Sequence, residues 1–182
     1  MPFPLHRPRP PVAVLIATAL LAAGTAGCSA LAPFSTCEGT DARLRELDAL
    51  PLLASAPAGA EPAPGSAGAY AECVDDSGDA WLSAGRLYFY PGTAQEVVAH
   101  YREAAVAGGW QVHSMRRPSA DGGVELCLTQ GEEGHARKAE VRFVPRRALR
   151  DIHRLEPNRE SARKLAFEIA AEAETDGAES SC

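Results

Sequence analysis

Two runs of alternating apolar and polar residues, joined by a short glycine-containing connection, constrain this chain more than any other feature. Val124, Leu126 and Leu128 alternate with Glu125, Cys127 and Thr129. Ala139, Val141 and Phe143 alternate with Lys138, Glu140 and Arg142. Successive side chains of a strand point to opposite faces, so each run has one apolar and one polar side. Gly131 and Gly134 in the connection from Gln130 to His135 suit a hairpin turn. Together the runs imply an antiparallel sheet buried on one face.

A buried sheet face needs a cover, and the chain supplies a well-marked helix. Thr93 and Glu96 form a capping box, each satisfying a backbone N–H that the helix start leaves unpaired. Val97, Val98, Tyr101, Ala104 and Ala105 make an apolar stripe, with Glu103 on the outer side. Gly108 and Gly109 supply the stop. Further strands are expected at Ala69–Val74, at Arg86–Tyr90 and from Trp110. A short N-terminal helix is expected around Leu44, Leu47 and Leu50, ended by Pro51. The spacing of Ala162, Leu165, Ala166, Ile169 and Ala173 predicts a C-terminal helix begun by Pro157 and Asn158. The fold class is therefore α+β. A two-layer domain is expected, an antiparallel sheet with Thr93–Gly108 as its main packed helix, plus the short N-terminal and the C-terminal helix.

The N-terminus reads as an export signal. Arg7 and Arg9 precede an apolar run from Val12 to Ala23, and Gly24, Thr25, Ala26 and Gly27 follow. That run is too short for a comfortable membrane span, which needs ~20 residues. Ala26-Gly27-Cys28 resembles the lipobox of bacterial lipoproteins, although Thr25 stands where leucine is usual. The resemblance implies cleavage before Cys28, a diacylglyceryl group on its sulfur, and attachment to the extracytoplasmic face of the cell membrane. Each buried CH₂ contributes ~0.8 kcal/mol, so two acyl chains hold firmly where one is marginal. Farther along, Cys73-Val-Asp-Asp-Ser-Gly, Tyr101-Arg102 and Gly108-Gly109-Trp110 resemble small actinobacterial lipoproteins. That likeness spans roughly residues 70–144 and brings no catalytic residues with it.

These boundaries predict a signal peptide over 1–27 and a lipidated cysteine, tether, short helix and Pro/Ala linker over 28–68. The domain follows over 69–174, then a polar tail over 175–182. Residues 1–27 carry two arginines and no acid, so the mature chain of 155 residues (182 less 27) has a formal charge of −8 (−6 less 2). An acidic chain of this kind argues against nucleic acid as a partner and against bulk binding to anionic lipid. The expected partners are the membrane, through the lipid on Cys28, and an envelope protein. Four cysteines remain, Cys37, Cys73, Cys127 and Cys182, and an exported chain permits disulfides. Four cysteines allow three pairings. Cys73–Cys127 is the expected pair, because both fall in the best-patterned stretch, leaving Cys37 with Cys182.

Motifs for chemistry are sparse. Asp75, Asp76 and Asp79 invite a calcium loop, but Ala80 stands where the loop needs glycine and Arg86 where it needs glutamate. His100, His113, His135 and His153 share no metal-ligand spacing. No nucleophile elbow, dinucleotide fingerprint or phosphate-binding loop occurs, so no cofactor, metal or catalytic residue is assigned. The basic run Arg142, Arg146, Arg147, Arg150, His153 and Arg154 has two readings. It faces anionic headgroups or cell-wall phosphates, or it is a solvated face paired with Glu156, Glu160, Glu168 and Glu172. Tyr88 and Tyr90 make a binding surface if they lie on the open face of the sheet. The function expected is a non-enzymatic binding or accessory module of the cell envelope. An envelope enzyme with an unrecognised active site is the alternative.

Overall fold

The computed structural model describes residues 35–76, 79–114, 123–132, 135–177 and 182. Residues 1–27 and Cys28 lie outside the described residues. The strands are β1 (Glu61–Pro62), β2 (Ala69–Asp76), β3 (Asp79–Tyr90), β4 (Gln111–Ser114), β5 (Gly123–Gln130), β6 (Arg137–Phe143) and β7 (Leu165–Glu174). They form one antiparallel sheet in the order β3, β7, β6, β5, β4, with β1 and β2 both paired along the outer edge of β3. The helices are α1 (Asp41–Asp48), α2 (Pro51–Ala54), α3 (Ala94–Ala107) and α4 (Arg146–Asp151). The fold is mixed α+β, and the hairpin read from the two alternating runs is β5–β6.

The expected C-terminal helix is a strand. Leu165–Glu174 is β7, and it pairs with β3 on one side and β6 on the other. The sequence permits both readings. Leu165, Ala166, Ile169 and Ala173 recur at helical spacing, yet Leu165, Phe167, Ile169, Ala171 and Ala173 also alternate with a row containing Glu168, Glu172 and Glu174. Alanine and glutamate favour helices locally. Pairing with two strands overrides that weak preference, because it satisfies the backbone and buries the apolar row together.

One face of the sheet carries the main core. Leu47 of α1, Leu53 of α2, and Val97 and Tyr101 of α3 pack with Leu82, Leu126, Val141, Phe167 and Ile169. The capping box of α3 is present. Thr93 donates its N–H to Glu96 Oε2 at 2.7 Å and accepts the Glu96 N–H at its hydroxyl, 3.3 Å away. Gly109 sits at φ 73° just past the helix, where a side chain is strained. The wholly buried residues of α3 are Val97, Tyr101 and Ala105, whereas Val98 is only half-buried at the edge of the stripe.

The segment before residue 69 belongs to this core rather than preceding it. Leu50, Leu52 and Leu53 are buried, and Pro51 opens α2 rather than only closing α1. Part of the Pro/Ala stretch becomes β1. The described residues from 35 on form one compact unit, and all the described buried residues and both disulfides fall at or beyond residue 37. A chain starting at residue 29 thus carries every described element of the fold.

The disulfides are Cys37–Cys73 and Cys127–Cys182, with Cα–Cα separations of 5.8 and 5.9 Å. The expected Cys73–Cys127 and Cys37–Cys182 pairs are therefore not the ones formed, and strand order rules out the first. Cys73 stands on β2, opposite Leu82 on the helix-covered face. Cys127 stands on β5, opposite Glu140 on the other face. Four strand spacings of ~4.8 Å separate the two strands, against the ~7 Å that a disulfide spans between Cα atoms.

Candidate functional site: a cleft on the charged face

The second face of the sheet has no such cover. Of the described helices only α4 packs on it, through Leu149, which meets Leu87, Phe89, Ala166 and Ala63 in a small separate cluster. The rest of this face is polar by register. Along β6, Lys138, Glu140 and Arg142 point the same way. Across the ladder, Lys138 lies opposite Glu172 and Arg142 opposite Glu168, both on β7. Lys138 Nζ is 3.1 Å from Glu172 Oε2 and 3.3 Å from Glu140 Oε1. Arg142 donates its Nε–H to Glu140 Oε2 at 2.9 Å, and its Nη2 reaches the same oxygen.

These contacts set the charges. Burial alone raises Glu140, but the hydrogen bonds and charges of Arg142 and Lys138 hold it below the usual carboxylate range. Burial likewise disfavours the cationic form of Arg142, and Glu140, Glu168 and Glu172 more than offset it. Lys138, Glu140 and Arg142 are thereby held in their charged forms. Replacing such pairs with well-packed apolar residues is often neutral or stabilising, so their retention is not explained by stability.

A cleft of about 480 Å³ opens between this face and α4. Tyr70, Ser83, Arg142 and Glu168 line it along with Glu72. Val144, Ala148 and Ile152 give it an apolar wall, and His153 lies at the same side. Tyr70 is placed by its neighbour in the register. It stands opposite Gly85, and a Cβ at Gly85 would lie 2.5 Å from the Tyr70 ring. Only glycine lets the ring lie across β3 at that point. The Tyr70 hydroxyl lies close enough to Ser83 and Glu168 for both to act on its ionisation. Burial first, and then the Glu168 charge, push its pKa well up, so it remains a proton donor. Glu168 is 6 % exposed and Ser83 7 %. The cleft therefore has a floor of buried and partly buried polar groups.

The other candidates resolve into structural roles. Tyr88 and Tyr90 do not form an open surface. Both lie in the main core, with Tyr88 stacked on Phe167 at 5.4 Å and donating its hydroxyl to the Leu53 carbonyl at 3.2 Å. They stand on the same strand as Leu87 and Phe89 but on the face that the helices cover. His100 Nε2 lies 2.8 Å from Ser55 Oγ, the contact of a nucleophile–base pair without the third group that orients the base. No described residue hydrogen-bonds the other ring nitrogen. The contact instead ties the end of α2 to α3, beside the Tyr101 hydroxyl, which donates to the Ser55 carbonyl at 2.5 Å. A second cavity of about 290 Å³ lies near Arg43 and Arg137. Its cations are already engaged. Arg43 donates to the carbonyls of Glu174 and Thr175, and Arg137 lies over the Trp110 ring at 5.8 Å.

Asp75, Asp76 and Asp79 sit at the facing ends of β2 and β3. Among the described residues no group of three His, Cys, Asp or Glu side chains is placed to hold a metal ion, and no helix is long and apolar enough to cross a membrane. Sequence reasoning missed Tyr70, Ser83 and Glu168. The one available signal was Gly85 inside a strand-forming stretch, since an interior strand glycine marks a close approach. The chain matches no family model, no curated protein and no solved structure.

Proposed function

We propose that the protein is a lipid-anchored, extracytoplasmic binding module of the cell envelope, and that the cleft beside α4 is its ligand site. The observation that carries the reading is the Tyr70–Ser83–Glu168 cluster. Ser83 and Glu168 are buried and Tyr70 is partly buried, together at the floor of a cleft of about 480 Å³. Arg142 is neutralised by Glu140 and Glu172. The charge left over in the cleft is negative, from Glu168 and the exposed Glu72. A small ligand with hydroxyl groups and an ammonium group complements that set. Its hydroxyls would pair with Tyr70 and Ser83 and its cation with Glu168, worth more here than in water because the site is partly desolvated.

The two disulfides support an oxidising compartment, and the Ala26-Gly27-Cys28 ending supports the anchor. Two measurements test the reading. A Cys28→Ala chain in the native host is expected to lose labelled palmitate and leave the membrane pellet, and retention of both defeats the anchor. For the cleft, glucosamine serves as the probe, titrated into the chain from residue 29 and followed by backbone amide shifts. Shifts are expected at Tyr70, Ser83 and Glu168 and are expected to vanish in Glu168→Gln. No response at these residues, or an unchanged response in the variant, removes the cleft from the reading.

A further inference from the structure

The stretch from Arg146 to Lys164 inverts the charge of the chain around it. It holds seven cationic side chains, six of them arginines, against three carboxylates, in a chain of formal net charge −6. Some of this charge is used internally. Arg147 pairs with Asp151 at 3.2 Å, Lys164 with Glu61 at 2.7 Å and Glu160 at 3.1 Å, and Arg146 donates to the Ala162 carbonyl. Arg150, Arg154, Arg159 and Arg163 are exposed and make no ion pair or hydrogen bond with any described residue. Of the expected partners, Glu172 pairs with Arg142 and Glu160 with Lys164, and none of Glu156, Glu160, Glu168 and Glu172 pairs with these four arginines.

Two further features sit among these arginines. Ile152, 72 % exposed, lies between Arg150 and Arg154 in sequence, one turn beyond Leu149, which packs α4 on the sheet. Arg154 itself has φ 50°, in the left-handed region that glycine or asparagine occupies more cheaply. An arginine is kept there against its backbone preference.

We infer that α4 and the loop to residue 163 form a surface that docks on an anionic lipid membrane. The planar guanidinium matches phosphate oxygens in a bidentate way that an ammonium does not, and this cluster is all arginine. Basic segments are drawn to anionic headgroups, and a single apolar side chain among them enters the headgroup layer. The inference rests on the anchored reading for which membrane the surface meets. Eight residues separate Cys28 from Cys37, the point where the Cys37–Cys73 disulfide ties the chain to β2. Fully extended, they reach ~30 Å. A domain on so short a tether meets the membrane at high effective concentration, so a weak docking surface is enough. Ile152 and His153 also line the cleft, so docking brings that wall to the bilayer.

The test uses the oxidised chain from residue 29, which lacks Cys28, in flotation with vesicles of phosphatidylcholine alone or mixed with phosphatidylglycerol. Binding is expected to the mixed vesicles only, and to disappear in ~1 M salt, where the Debye length is ~3 Å. The combined R150Q, R154Q, R159Q and R163Q variant is expected to bind at least about tenfold more weakly, with an unchanged melting temperature. Ile152→Ser is expected to weaken binding by a smaller factor. Equal binding to neutral vesicles, no binding to the mixed ones, or full binding by the arginine variant overturns the inference. So does binding of soluble polyphosphate without vesicle binding, which assigns the arginines to a free anion. None of these outcomes bears on lipidation of Cys28, and failure of the palmitate experiment leaves the vesicle result standing.

Discussion

The two faces of the sheet are built from the same strands and differ in what holds them. On the helix-covered face, Leu82, Val141, Phe167 and Ile169 pack against α1, α2 and α3. On the other, the neighbouring residues Ser83, Glu140, Arg142 and Glu168 form a charge ladder and a cleft, with one short helix at the side. Alternation forces this division: a strand that buries one row of side chains must present the other row somewhere. The covered face accounts for stability. The charged face retains desolvated polar groups that stability does not ask for, which is where a ligand site is expected.

The comparison is broken most sharply from the covered side. Tyr101 is fully buried, meets Phe167 edge-on at 6.0 Å and donates to the Ser55 carbonyl. Tyr101→Ala is expected to destabilise by ~3–5 kcal/mol, a large share of the stability of a small domain. Urea titration of the oxidised chain checks it, and a cost below ~1 kcal/mol would mean that α3 is not the principal cover.

The disulfides come next, one on each face. Their separations of 36 and 55 residues correspond to ~4 kcal/mol apiece in the chain-entropy treatment, with measured effects more often ~2–4. Paired Cys→Ser variants at Cys37/Cys73 and at Cys127/Cys182 are expected to lose comparable stability, and each should remain folded. Non-reducing peptide mapping should recover Cys73 joined to Cys37 alone.

Gly85→Val sharpens the comparison, because it changes only the charged face. The added Cβ falls on the Tyr70 ring, so the ring must leave its place over β3. A loss of ~1–3 kcal/mol is expected, the usual range for overpacking, together with loss of any cleft response to ligand. An intact cleft response in a folded Gly85→Val chain would show that Tyr70 does not shape the site.

The smallest effect concerns His100. Burial lowers its pKa below the ordinary 6.5, so the folded chain binds fewer protons than the unfolded one as pH falls through that value. Its contribution is complete above pH ~6.5 and lost on acidification below it, by less than ~1 kcal/mol given its partial exposure. His100→Gln should flatten the stability profile between pH 7 and 5. A profile that rises on acidification in the parent chain would reverse the assigned sign.

Much of the covered face was legible in the sequence. Capping residues and turn glycines act locally, so α3 could be read from Thr93, Glu96 and Gly109, and the β5–β6 hairpin from its alternation. What failed depends on distant partners. Leu165–Glu174 reads as a helix until β3 and β6 are placed beside it. The cysteine pairing follows from strand order, which no local pattern contains. Tyr88 and Tyr90 alternate with Leu87 and Phe89, and alternation alone does not say which row the helices cover. Tyr70, Ser83 and Glu168 come from three strands and meet only through register, so their cluster leaves no spacing signature.

Phe167 and Glu168 are adjacent on β7 and point to opposite faces, so they test the division of labour with one pair of variants. Phe167 is fully buried in the main core, and Glu168 is 6 % exposed at the floor of the cleft. Denaturant unfolding of both variants is the measurement. Phe167→Ala is expected to lose ~3–5 kcal/mol. Glu168→Gln preserves an acceptor for Tyr70 and removes a desolvated charge, so its stability should stay within ~1 kcal/mol of the parent or rise. If Glu168→Gln costs as much as Phe167→Ala, the charged face is structural, and the separation of a stability face from a binding face is wrong.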